Sequence, residues 1–186
     1  MMPIGPLMVE HRLIERMIKL MEIETQNIER DSRPDTDFIE RACDFLKTYA
    51  DMCHHGKEED ILFNKLKDKN LSAEHKEILN SLMEDHKLAR KTTSDLAAAN
   101  KDYKTGLKDR VNEIRGYLKA LTDLYPEHIR KEDKVFFIPS MSYFTDEEKD
   151  EMLESFNEFD RNLIHEKYKS LVADYEKTNS AESYSP

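Results

Sequence analysis

Apolar residues along the 186-residue chain recur at intervals of three and four, the spacing of helices that bury one face. Leu7, Ile14, Met17, Ile18 and Met21 form the first stripe, in a segment from about Leu7 to Ile28 that stops ahead of Arg33-Pro34. A second segment opens after Pro34, where Asp35 or Thr36 can cap it, and carries Phe45, Tyr49, Met52, Leu62 and Leu66 to a break at Lys69-Asn70. Ser72 stands as the cap of a third, marked by Ile78, Leu79, Leu82, Met83 and Leu96, which fades between Asn100 and Gly106. Val111, Ile114, Leu118, Leu121, Leu124 and Ile129 mark a fourth, bent at Pro126 and ended by Pro139. Thr145 ahead of Asp146-Glu147-Glu148 opens a fifth, with Met152, Phe156 and Phe159 as its apolar face. The pattern predicts an all-α protein: an up-down-up-down four-helix bundle with its core over about 7–140, and an additional C-terminal helix over about 145–175. Residues 1–177 are expected to form a single unit, followed by a disordered polar tail over 178–186.

Polar residues fall on these inner stripes in a pattern of their own. His11 lies on the Leu7, Ile14 and Ile18 stripe; His55 and Glu59 lie between Met52 and Leu62; His86 follows Leu82 and Met83; His128 and Glu132 follow Leu124. Four segments therefore each place a histidine inward, and two add a glutamate four residues on, along the same helix face. One histidine on an apolar face is ordinarily a hydrogen-bonded core residue. Four imidazoles and two carboxylates in one core are costly without a compensating charge, which a bound metal supplies.

Counting along the chain tests whether they share a layer. Residues at one height on consecutive antiparallel helices have a turn near their midpoint in sequence. The midpoint of His11 and His55 is Arg33, beside Pro34; that of His55 and His86 falls between Asn70 and Leu71; that of His86 and His128 is Leu107, beside Gly106. All three coincide with chain-breaking signals. At 1.5 Å of rise per residue, the first and third turns lie about 33 and about 32 Å from the histidines, as two turns at one end of a bundle should. His54, adjacent to His55 and so about 100° away on an α-helix, is expected to face away from the layer. Glu58 is expected at its edge, with Glu59 in the better phase, and Tyr125 is expected to pack in the core.

Composition narrows the function classes. The formal charge of −10, from 39 acidic and 29 basic residues, speaks against a nucleic-acid backbone as partner and suits cations. No apolar run approaches the roughly 20 residues of a membrane-spanning helix, and the first residues lack the pattern of a signal peptide, so a cytoplasmic protein without a membrane partner is expected. Cys43 and Cys53, ten residues apart, are expected to be reduced thiols. Four imidazoles with two carboxylates suit first-row transition metals rather than calcium or magnesium, with the two glutamates able to bridge a pair of ions.

The residues that carry this chemistry resemble the hemerythrin-like, or HHE cation-binding, family: Glu-His-Arg-Leu-Ile around His11, Cys-His-His-Gly-Lys-Glu-Glu-Asp-Ile-Leu-Phe from Cys53, Glu-Asp-His-Lys from Glu84, and His-Ile-Arg-Lys-Glu-Asp from His128. The resemblance covers roughly residues 7–140. It implies a four-helix bundle around two non-haem iron ions with an oxide or hydroxide bridge, zinc and manganese being alternatives. Carried over position by position, it gives His11, His55, Glu59, His86, His128 and Glu132 as metal ligands. It also implies a small diatomic or peroxidic ligand, O₂, peroxide or NO, in sensing, scavenging or stress protection, with an electron donor or an iron-accepting protein as partner. Two departures from oxygen-carrying members stand out. Arg90 occupies the place of their second third-helix histidine, and Glu132 stands four after His128 where they have an aspartate at five, here Asp133. Iron storage or delivery, including iron-sulfur cluster repair, and a metal-free structural adaptor are the alternative readings.

Overall fold

The computed structural model describes residues 2–160 and 164–182, and among these it is helical with no strand. Helix α1 spans Ile4–Asp31; α2 spans Thr36–Phe45 and runs on through two π-helical stretches, Leu46–His55 and Lys57–Phe63, into the short α3, Asn64–Lys67. Helix α4 spans Ala73–Lys104 and α5 Val111–Lys131, the latter continuing through a π-helical stretch, Glu132–Phe136, into α6, Phe137–Ser140. Helices α7, Asp146–Phe159, and α8, Ile164–Glu182, complete the order. Where one C-terminal helix is expected over about 145–175, two are found. The second continues past Tyr175 through the first part of the expected tail, whose last residues, 183–186, lie outside the described residues.

The helix ends follow the capping signals. Asp35 accepts hydrogen bonds from the backbone N–H of Asp37 and Phe38, Ser72 from that of His75, and Thr145 forms a capping box with Glu148. Helix α1 ends where Ser32 adopts a left-handed φ of 52° and donates its N–H to the Ile28 carbonyl at 2.8 Å. Gly106, at φ 112°, makes the turn after α4 that the third midpoint marks. Pro126 lies inside α5, which continues on either side of it.

Helix α1 packs on α5, α5 on α4, and α4 on α2. Their apolar faces form two separate clusters. One contains Leu13, Met17, Phe45, Ala50, Ala89, Leu118 and Tyr125; the other contains Leu7, Leu62, Phe63, Leu82, Phe136 and Phe137. Along α1, the second column, α4 and the α5 column alike, the chain passes between the clusters at a histidine or at the glutamate four residues on. The polar layer is thus a slab between two dry regions. Helix α7 closes the second cluster with Met152 and Phe156, and α8 covers the first with Tyr168 and Val172.

Candidate metal centre

Seven side chains meet in the slab in two groups that share one carboxylate: His11, His54, Glu58 and Glu132, and His55, Glu58, His86 and His128. Within each group the possible donor atoms lie within 4.8 Å of one another, and every residue is buried. Of the residues singled out in the sequence, His11, His55, His86, His128 and Glu132 come together. Glu59 does not: its carboxylate lies outside the cluster, accepting a hydrogen bond from His86 Nδ1 at 2.6 Å and another from Arg90 at 2.6 Å. Glu58 takes the inner place, and His54, expected to face away, is a member.

The π-helical stretches explain both corrections. A π-helix closes its hydrogen bonds from i to i+5 and has more residues per turn than an α-helix, so adjacent side chains diverge less. His54 and His55 both reach the interior, and Glu58 stands over His54 with its Oε1 3.3 Å from His54 Nε2. The same change of phase turns Met52, expected on the buried stripe, to 68% exposure. An α-helical period cannot reveal this shift. The doublets His54-His55 and Glu58-Glu59, four residues apart, were the available signal, since a doubled histidine and a doubled glutamate fit two phases at once.

The inner nitrogens crowd together. His11 Nε2 is 2.9 Å from His54 Nε2, and His86 Nε2 is 3.3 Å from His128 Nε2. Glu132 lies between the groups, with Oε2 at 3.1 Å from His11 Nε2 and 3.3 Å from His128 Nε2. Both oxygens of Glu58 and both of Glu132 are buried without a well-directed hydrogen bond. Four buried carboxylate oxygens left in this condition amount to an unmet demand for positive charge.

The outer nitrogens are satisfied in a uniform way. Each imidazole Nδ1 faces a carboxylate: His11 with Asp133 at 2.8 Å, His54 with Glu10 at 2.7 Å, His55 with Asp51 at 3.3 Å, His86 with Glu59 at 2.6 Å and His128 with Asp85 at 3.3 Å. A carboxylate accepts, so Nδ1 carries the hydrogen and the other nitrogen is left to a ligand on the inside. Each carboxylate is in turn paired with a cation: Asp133 with Arg12, Glu10 with Lys57, Asp51 and Glu59 with Arg90, and Asp85 with Lys131.

Within the cluster, imidazole protons offset the carboxylate charge. Burial works against a charged His54, but Glu58 and Glu10 outweigh it and push its pKa up to about 10. Burial likewise opposes charge on His86, and Glu132 and Glu59 push it up to about 9. His55 falls well below the ordinary histidine value, first because it is buried and then because His86, His54 and His128 surround it. Burial would raise Glu132, yet the imidazoles of His128, His11 and His86 around it hold it well below the carboxylate range. A cluster that must hold protons to offset its carboxylates is ready to exchange them for metal.

A family model, the hemerythrin HHE cation-binding domain, matches residues 2–137 and so covers most of the chain and all seven residues. The chain belongs to that family. No curated protein and no solved structure gives a significant match. The cluster of this hemerythrin-family chain holds five imidazoles, two of them from the adjacent pair His54-His55. Tyr125 is buried, its ring 6.4 Å from that of His55 and nearly parallel to it. Among the described residues, no helix is long and apolar enough to cross a membrane.

Proposed function

We propose that this chain is a non-haem di-iron protein that binds or reacts with a small oxidant, O₂, peroxide or NO, in sensing, scavenging or protection against oxidative stress. One observation carries the reading: two donor groups share Glu58, flank Glu132, and leave four buried carboxylate oxygens without a well-directed hydrogen bond. The donors fit a pair of transition-metal ions, since imidazole and carboxylate together suit iron and the two glutamates reach both groups. His55, His86 and His128 would hold one ion and His11 and His54 the other, with Glu58 and Glu132 spanning both. The two-histidine side has one imidazole fewer than the other, so the more open position falls there. Iron bound in this way supplies reversible electron transfer to a small oxidant. The chain's own part is to orient five imidazoles through their Nδ1 carboxylates and to keep bulk water out with the two apolar clusters. Their burial of every donor favours retained metal over iron storage or delivery, and the frame is read as an up-down-up-down bundle with α8 lying beside α1.

Anaerobic purification followed by metal analysis and an optical spectrum before and after air tests the proposal. The expected result is two irons per chain and a new absorption band on exposure to oxidant. Protein that takes up no iron, or whose loaded form has the same spectrum in air and without it, overturns the reading. Iron handed anaerobically to an apo-cluster protein would instead favour delivery.

A further inference from the structure

Of the five carboxylates that hold the imidazoles, Glu10 has the longest reach. Its Oε2 accepts from His54 Nδ1, and its Oε1 accepts from the Lys57 ammonium. Lys57 is fully buried and donates in addition to both oxygens of Asp160, at 2.6 and 2.7 Å. Asp160 is the residue that ends α7, beyond the segment matched by the family model. The Cys53 thiol also donates to it, at 3.5 Å. The cations paired with the other four carboxylates, Arg12, Arg90 and Lys131, all lie within the matched segment.

The docking of this helix end is built into the sequence. A Cβ added to Gly56, which sits between His55 and Lys57, would stand 2.9 Å from the Phe159 ring, so the ring lies directly on the backbone of the π-helical column at this point. A buried ammonium between two carboxylates divides its attraction between them. Without Asp160 the whole of the Lys57 charge would bear on Glu10, draw its carboxylate toward Oε1, and weaken the hydrogen bond that Oε2 accepts from His54.

We propose that Asp160 is a positioning residue for His54, acting through Lys57 and Glu10, so that the docked end of α7 sets the strength and orientation of a ligand on the two-histidine side. This rests on the di-iron reading. Orienting carboxylates behind metal-bound histidines are worth 10–100-fold in affinity, and a residue two steps further out falls at the low end.

The test uses the full chain with Asp160→Asn, Asp160→Glu, Glu10→Gln and the double variant, each titrated with ferrous iron under anaerobic conditions. The exchangeable imidazole N–H signals of the loaded proteins are followed by NMR. Asp160→Asn is expected to weaken binding of one iron about tenfold and to shift one N–H signal, and Asp160→Glu to return both toward wild type. In the Glu10→Gln background the Asp160 effect is expected to vanish, whereas a purely structural or long-range charge effect persists there. Asp160→Ser, with the same expectation, serves if the amide disturbs folding, as read from the melting temperature. Wild-type affinity and an unmoved N–H signal in Asp160→Asn, or full additivity with Glu10→Gln, overturn the proposal. Wild-type protein that binds no iron sinks the di-iron reading instead, so the two failures are distinct.

Discussion

The two sides of the metal-binding slab are built from the same parts and set at different depths. On the two-histidine side, the carboxylates behind His11 and His54 are 7% and 5% exposed, with Lys57 fully buried beside Glu10 and Arg12, 54% exposed, beside Asp133. On the three-histidine side, Asp51, Glu59 and Asp85 are 19–25% exposed, and their cations Arg90 and Lys131 reach solvent. A charge pair near solvent is screened and gives way easily, while a buried one is stiff and costly to break. The depth difference therefore places the most rigid support behind His54, on the side with fewer donors, where an exchangeable position needs the remaining ligands held still.

The largest expected effect removes the residue the two sides share. Glu58→Ala should abolish binding of both ions, whereas Glu59→Ala, which takes away the hydrogen bonds to His86 and Arg90, should cost about 10–100-fold on the three-histidine side and leave the other ion in place. Metal content after gel filtration separates them. Equal loss in both variants would break the assignment of Glu58 as the inner carboxylate.

Next in size are changes confined to one side. His54→Ala should leave one iron, held by His55, His86 and His128, while His128→Ala should leave a weaker, two-imidazole site that loses its iron to a mild chelator first. A stoichiometry titration with a competing chelator reads both. If His54→Ala still binds two irons with wild-type affinity, His54 is a support and the imidazole count returns to four.

The contrast between the sides also shows where sequence was readable. The layer itself was visible, because histidine positions and turn signals obey one arithmetic: Arg33, the Asn70 and Leu71 break and Leu107 all lie at or beside observed turns. His11, His86 and Glu132 follow from the helical stripe. What stayed hidden lies in the second column, where the i to i+5 bonding of Leu46–His55 and Lys57–Phe63 shifts the phase. Extrapolating a period of 3.6 through that stretch puts Met52 and Glu59 inside and leaves His54 and Glu58 outside. The π-helical column packs against α4 and α7, and local propensity carries no mark of its change of phase. The division of the C-terminal region into α7 and α8 was hidden for a related reason, since each helix answers to a different apolar cluster.

A smaller effect appears with pH in chelator-treated protein. His54 and His86 have folded-state pKa values raised to about 10 and about 9 by the carboxylates that outweigh their burial. The sign follows from linkage: a histidine more basic when folded adds stability that is complete below its unfolded pKa, near 6.5, and is lost as pH rises through the folded value. The melting temperature of metal-free protein should therefore fall between about pH 6.5 and 10, while loaded protein, in which ions replace those protons, should hold nearly constant over that window. Iron uptake near pH 7 should release protons, measurable as a dependence of binding heat on the buffer's ionisation enthalpy. A metal-free melt that is flat over the window would contradict the charged state of these two imidazoles.

The smallest expected change is also the sharpest probe of the depth argument. Arg90 donates to Asp51 at 2.7 Å and to Glu59 at 2.6 Å, and so stands behind His55 and His86, whose rings stack 3.8 Å apart. Its side chain is 37% exposed, so water and salt can take over much of what it does. Arg90→Gln is expected to weaken iron binding less than tenfold, with the deficit shrinking as salt rises and wild type itself weakens. Lys57→Gln, at the matching place behind His54, should weaken binding more and show little salt dependence, because no solvent reaches the buried pair. Competition titrations of both variants at low and high salt decide the point. Equal losses with equal salt slopes would mean that burial does not distinguish the two supports, and the asymmetry between the sides would then lie in donor number alone.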